Sequence, residues 1–425
     1  MSDALHSQDW AWRARAKAVL PNGMYGHLST QMLPEAYPQF FSRAEGAMIW
    51  DVDGVGYIDY MCAFGPNLFG YGDREIDDAY IAQLRVGDVM TGPSPHLVRL
   101  AEAMVDQVSH AEWALFCKNG TDATTAAVMA ARAATGRRVI LRAHGSYHGT
   151  SPWCTPVPAG TTEAERGHQI WFDYNDVESL RAAATEAGND LAAIIGTPVN
   201  QHAFLKQQLP TADYARAARA ICDASGAMLI TDEVRSGFRV VADGIWDDLG
   251  APPDLSAWGK AIANGHCISV VLGGARARYG IESVFVTGSF WFASAPMAAG
   301  LVVMERIKEG GYLKTITETG NRLRTGLDEV AARHGVGFEQ SGPVTMPLMT
   351  FTDDPDFRAG FFWCAEMLKE GVYLHPWHNM FLNTAMTDEH IEITLKAADK
   401  AFAALNAARL TLGPNERLLA AAANR

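Results

Sequence analysis

Between about Gly65 and Arg306 the chain alternates short, nearly continuous apolar runs with alanine-rich stretches, and this alternation narrows the choice of fold more than any other feature. The runs are ALFC, VILRA, IWFDY, AAIIG, AMLIT and ISVVLGG. A strand that is apolar at successive positions must be covered on both faces, and a mostly parallel sheet with helices on either side meets that need. In such an open sheet a ligand sits beyond the carboxyl ends of the strands. Gly120, His148, Asp232 and Lys260 each come just after a predicted strand, so the fold would gather them at one crevice.

The flanks read differently. Apolar residues at helical spacing from about Gln8 to Leu20 stop at Pro21-Asn22-Gly23, a turn signal. AMIWDVDGVGYIDYM reads as two strands joined at Asp53-Gly54, a hairpin at the edge of a small domain. From Ile307 to Arg425 long helical stretches mix with a few short strands. The expected class is therefore α/β. A large domain with a mostly parallel sheet spans residues 65–306, and a small α+β domain is built from both termini, residues 1–64 and 307–425.

Chemistry enters with Asp232, at the end of AMLITDEV, and Lys260, in SAWGKAIANG. Singly, they read as a strand-end aspartate and an exposed loop lysine. A third element changes the reading: CKNGTDATTAAVMAARAATG follows the apolar stretch Trp113–Cys117 and opens into a helical run. Gly120 lets backbone approach an anion, Thr121 offers a hydroxyl, and the free N–H groups of a helix beginning near Asp122 favour negative charge. A lone Gly-Thr turn would be only a helix cap. The three together form a site for pyridoxal 5′-phosphate, in which a carboxylate keeps the pyridine nitrogen protonated and an amine holds the aldehyde as a Schiff base.

DEVRSGFR, WGKAIANG, NGTDA and GSYHG together resemble the class III aminotransferases, over nearly the whole chain. The resemblance implies a fold type I pyridoxal-phosphate transferase, and a homodimer whose active sites draw on both subunits. It makes Lys260 the Schiff-base lysine and proton shuttle, and Asp232 the partner of the pyridinium. Val234 would pack on one ring face and Tyr147 on the other, with Gly120 and Thr121 at the phosphate. His148 is implied as structural support. GSFWFASAP is similar to the segment whose hydroxyl reaches the neighbouring subunit's phosphate, here Ser289 or Thr287.

Departures from the family bear on the substrate. PNGMYGHLSTQ resembles a loop of the glutamate-1-semialdehyde aminomutases, but the carboxylate-binding arginine that follows there is missing, and Tyr25, His27 and Ser29 occupy the positions. Phe64, Trp153, Phe290, Trp291 and Trp377 join Tyr25 and His27 as expected pocket residues, which suits an extended or hydrophobic amine. Several could instead pack a dimer interface. NGMYGH, YMCAFGPNLFGY, CKNGTDA, GSFWF and HPWHNMFL are similar to the aminotransferases acting on hydrolysed fumonisin, which implies a long aliphatic amine as donor and pyruvate as acceptor. Arg235 and Arg239 are candidates for the acceptor's carboxylate. The rival readings are a 2,1-aminomutase and a catalytically silent dimeric scaffold.

A formal charge of −13, from 35 basic and 48 acidic side chains, argues against nucleic acid or an anionic membrane as a partner. The six cysteines are scattered with no CxxC pair, as free thiols in a reducing compartment are. The first residues lack the apolar core of a leader, and no stretch approaches ~18 apolar residues. The expected location is the cytoplasm, and no metal is expected.

Overall fold

Seven strands make one sheet in the computed structural model of the chain, which describes residues 7–200 and 205–423. Their order is Trp113–Cys117, Ser269–Gly273, Leu255–Trp258, Met228–Asp232, Leu191–Gly196, Val139–Ala143 and Gln169–Phe172. Neighbours from Leu255–Trp258 to Gln169–Phe172 pair in parallel, while Ser269–Gly273 runs antiparallel to both of its neighbours. Every residue of Leu191–Gly196 and Val139–Ala143 is buried, as continuous apolar runs require. The helix Gly120–Thr135 buries Ala123, Ala126, Ala127, Ala130 and Ala131 in the core cluster of the sheet. Alanine on that face lets a helix lie close to the strands.

Leu255–Trp258 is not among the six apolar runs, although it is the strand that leads to Lys260. It is four residues long and carries Ser256, whose hydroxyl accepts from the indole N–H of Trp258 at 2.7 Å. A buried polar residue satisfied in this way breaks an apolar pattern without breaking the strand.

Residues Arg74–Leu313 form one compact unit, and the described residues through Asp73 with those from Lys314 onward form another. The second unit has a four-stranded sheet in the order Phe41–Glu45, Met48–Asp51, Gly56–Asp59, Val372–Tyr373. The predicted hairpin thus occupies the two middle places of its sheet. Its turn is fixed by Asp51, whose Oδ1 accepts from the N–H groups of Asp53 at 3.0 Å and Val55 at 2.9 Å. Parallel pairing of Val372–Tyr373 with Gly56–Asp59 ties the late part of the chain to the early part.

The N-terminal helix is Ser7–Val19; the first six residues, part of the stretch read for a leader, lie outside the described residues. Among the described residues no helix is long and apolar enough to cross a membrane. All six cysteines are free, and only Cys267 is exposed.

Candidate active site

Asp232 ends its strand 7% exposed, with Oδ2 2.8 Å from Nδ1 of His148 and Oδ1 accepting from the N–H of Val234 at 3.2 Å. Burial drives the pKa of His148 down, with Asp232 opposing the shift. A neutral imidazole facing a carboxylate through Nδ1 carries its proton there, so Nδ1–H donates and Nε2 is left an acceptor. That Nε2 is buried without a hydrogen-bond partner among the described residues. Behind it, Trp153 lies nearly parallel to the imidazole, 6.4 Å away at 13°. Trp153 was expected in the substrate pocket, but it is 8% exposed in the core cluster, and its indole N–H donates to Thr125 at 3.1 Å. Its place is packing against His148.

Lys260 follows the Leu255–Trp258 strand and opens the one-turn helix Lys260–Ala263 with φ of +49°, a left-handed conformation costly for any residue with a Cβ. Burial lowers its pKa to about 7, the positive charge of Arg235 adds to the effect, Asp232 opposes it, and Arg239 adds further. The amine is therefore uncharged above about pH 7, the form that adds to an aldehyde. Uptake of pyridoxal phosphate by the cofactor-free enzyme should accelerate about tenfold per pH unit up to that point and level off above it. Stopped-flow absorbance measures this, and a rate still climbing beyond pH 9 would mean an ordinary lysine.

The helix expected to open near Asp122 begins two residues earlier, at Gly120. Asn119 is the N-cap, its Oδ1 accepting from the N–H of Asp122 at 3.1 Å while Asp122 Oδ2 accepts from the N–H of Asn119 at 3.2 Å. The helix starts at Gly120 because this reciprocal pair closes around it. With the Ala123 N–H bonded to the Asn119 carbonyl, those of Gly120 and Thr121 remain without a partner among the described residues. A Cβ on Gly120 would stand 2.7 Å from Val234, so the absent side chain makes room for that valine. The Thr121 hydroxyl accepts from the N–H of Thr150 at 3.2 Å, and Gly149, at φ +113°, leaves it space. Tyr147, between His148 and Ser146, is 57% exposed.

These residues fit pyridoxal phosphate: an amine of lowered pKa, a buried carboxylate on a neighbouring strand end, an uncapped pair of helix N–H groups and an exposed aromatic plate. Thr287 and Ser289 are both exposed in the loop before the helix Ser294–Glu309, as is Phe290, whereas Trp291 is partly buried against the core cluster. Arg239 is fully buried, and Arg235 donates to the Val199 carbonyl. Glu233, buried beside Asp232, is pushed up to about 8 by burial and accepts from Ser236 and from the N–H of Ile245.

The other unit holds the remaining aromatic candidates. His27 meets Phe64 edge-on at 4.6 Å, Phe64 meets His378 at 5.3 Å, and His375 meets Trp377 at 4.5 Å. The Trp377 indole N–H donates to the Met32 carbonyl at 3.1 Å, and Tyr25 stands 64% exposed. Cys62, Ala63 and Phe64 all have positive φ, which turns Phe64 onto the histidines. His375 and His378 were not singled out as site residues; the signal was their spacing around Trp377 in HPWH. Burial drops His375 to about 3, and its Nδ1 accepts from the N–H of His378 at 3.1 Å.

The family described as Aminotransferase class-III matches residues 32–406. The aminopentol aminotransferase of Sphingopyxis macrogoltabida is 51% identical over 407 residues, covering 96% of each chain. A glutamate-1-semialdehyde 2,1-aminomutase of Deinococcus radiodurans is 30% identical over 426 residues, with 91% of this chain and 95% of the other covered. Among solved structures, the pyridoxal-phosphate internal aldimine form of the Sphingopyxis sp. MTA144 FumI protein superposes with a TM-score of 0.96 at 50% identity, over 97% of this chain and all of the other.

Proposed function

The chain belongs to the class III aminotransferases, pyridoxal-phosphate enzymes that take a small-molecule amine and a keto acid, and from that premise we propose that its donor is a bulky or long-chain primary amine and its acceptor pyruvate. The observation that carries the donor reading is that Tyr25 and His27 stand exposed in the aminomutase-like loop, which has no arginine to receive a donor carboxylate. The half-identical relative named for aminopentol supports the same class of donor.

When bound, pyridoxal phosphate supplies an electrophilic aldehyde and a ring that draws electrons from the amine-bearing carbon. Gly120 and Thr121 hold the phosphate through N–H groups, and Ser289 or Thr287 of a second copy adds a hydroxyl. Asp232, fixed by His148, would keep the ring nitrogen protonated, while Val234 and Tyr147 would hold the ring. Lys260 would be the amine that holds the aldehyde, and its Nζ, when free, would be the base that takes a proton from the donor carbon and returns it in the reverse half. Tyr279 at 72%, Phe285 at 90% and Phe290 at 63% exposure are large apolar side chains that a second copy would cover.

The test is the loss of the holoenzyme's yellow colour with a panel of amines. Long-chain and aryl amines should bleach it at least ~10-fold faster than alanine, the scale of discrimination an apolar pocket gives, and pyruvate should restore it. A response confined to glutamate semialdehyde or its diamine would overturn this and make the protein an aminomutase.

A further inference from the structure

Arg142 lies on the Val139–Ala143 strand, 3% exposed, and among the described residues no carboxylate forms an ion pair with it. Its guanidinium stacks 4.3 Å over Trp171 and 5.9 Å from Trp153. One Nη donates to the Ser146 carbonyl at 2.8 Å and the other to Gln169 Oε1 at 3.2 Å, while Nε has no partner among the described residues. Gln169 in turn donates to the Trp153 carbonyl at 2.7 Å. Burying a cation without an anion is expensive, and a hydrophobic side chain of the same shape would fill this space at lower cost. A structural role alone does not account for it.

What the charge reaches is the loop that carries Tyr147 and His148. Ser146 closes a turn on Ala143, its hydroxyl donating to that carbonyl at 2.7 Å, and the next residue is the exposed tyrosine. Beyond it the loop is pinned by Asp232 on His148 Nδ1, by the Thr124 hydroxyl donating to the His148 carbonyl at 2.6 Å, and by Thr121 at Thr150. On the near side of Tyr147 the Ser146 carbonyl receives Arg142, a charged donor and so the stronger kind of bond. We propose that Arg142 is a positioning residue: through the Ser146 carbonyl it aims Tyr147 over the cofactor, and its charge rather than its bulk does so. This rests on the reading of Tyr147, Asp232 and Lys260 as the cofactor site.

The experiment is a double-mutant cycle on cofactor release from the holoenzyme, followed by dilution and by the visible circular dichroism of the bound cofactor. Arg142→Met should release pyridoxal phosphate about 10-fold faster, the scale on which outer partners of a ligand set act, and change the dichroism. Arg142→Lys, which keeps the charge, should recover part of both. In a Tyr147→Ala background Arg142→Met should add less than ~2-fold, because the residue it aims is gone. Wild-type release and dichroism in Arg142→Met, or the same factor with and without Tyr147, would overturn the proposal. If Arg142→Met does not fold, Arg142→Gln, which also removes the charge, runs through the same cycle with the same criterion. The cofactor-site reading fails separately, if Lys260 proves dispensable.

Discussion

A Lys260→Ala enzyme should lose about 10⁴-fold or more of its transamination rate, because one amine serves as both the nucleophile that holds the aldehyde and the base that moves the proton. Initial rates of keto-acid-dependent turnover measure this, and more than ~1% of wild-type rate left would contradict the assignment. Structure supplies a control. Alanine keeps a Cβ, so the left-handed φ of +49° is strained in both proteins, while the buried amine, held near a pKa of about 7 by burial and Arg235, is removed. Thermal stability in the absence of cofactor should therefore be unchanged or slightly higher. A large loss of stability would mean that Lys260 props up the fold and that the lost rate has a second cause.

The sheet was legible because its strands are buried on both faces and so write themselves as apolar runs. Leu255–Trp258 escaped because Ser256 is satisfied internally by Trp258 and by His110 at 2.8 Å. The helix start was misplaced by two residues because NGTD offers Asn119 and Asp122, each able to cap, and only geometry shows them capping one another. Lys260, Asp232, Gly120 and Thr121 were legible by residue type next to strand ends. The pairing of Asp232 with His148 was not, since it depends on a strand order that puts only Leu191–Gly196 between the strands leading to them. Trp153 shows the converse error: an aromatic in a loop reads as a pocket residue, yet a bonded indole N–H in the core explains it better. Arg142 gave no signal at all, because a lone arginine inside VILRA carries no periodicity and its partners come from the strand Gln169–Phe172 and from the non-strand residues Ser146 and Trp153.

Asp232→Asn should keep the cofactor but lose about 10²–10³-fold in kcat/KM, roughly 3–4 kcal/mol of transition-state stabilisation at 1.36 kcal/mol per decade. The amide matches the carboxylate in size, so its oxygen can still accept from the Val234 N–H or from His148 Nδ1–H. What it lacks is the negative charge that keeps a ring nitrogen protonated, and that charge matters most as electrons flow into the ring, not while the cofactor merely sits bound. The phosphate cradle and Lys260 are unchanged, so affinity for the cofactor should change less than ~10-fold. Steady-state rates together with cofactor release distinguish the two effects. Unchanged kcat/KM would mean that the ring nitrogen is not tuned from this strand end. Equal losses in rate and retention would make Asp232 a binding group, its partnership with His148 serving the shape of the pocket and not the chemistry in it.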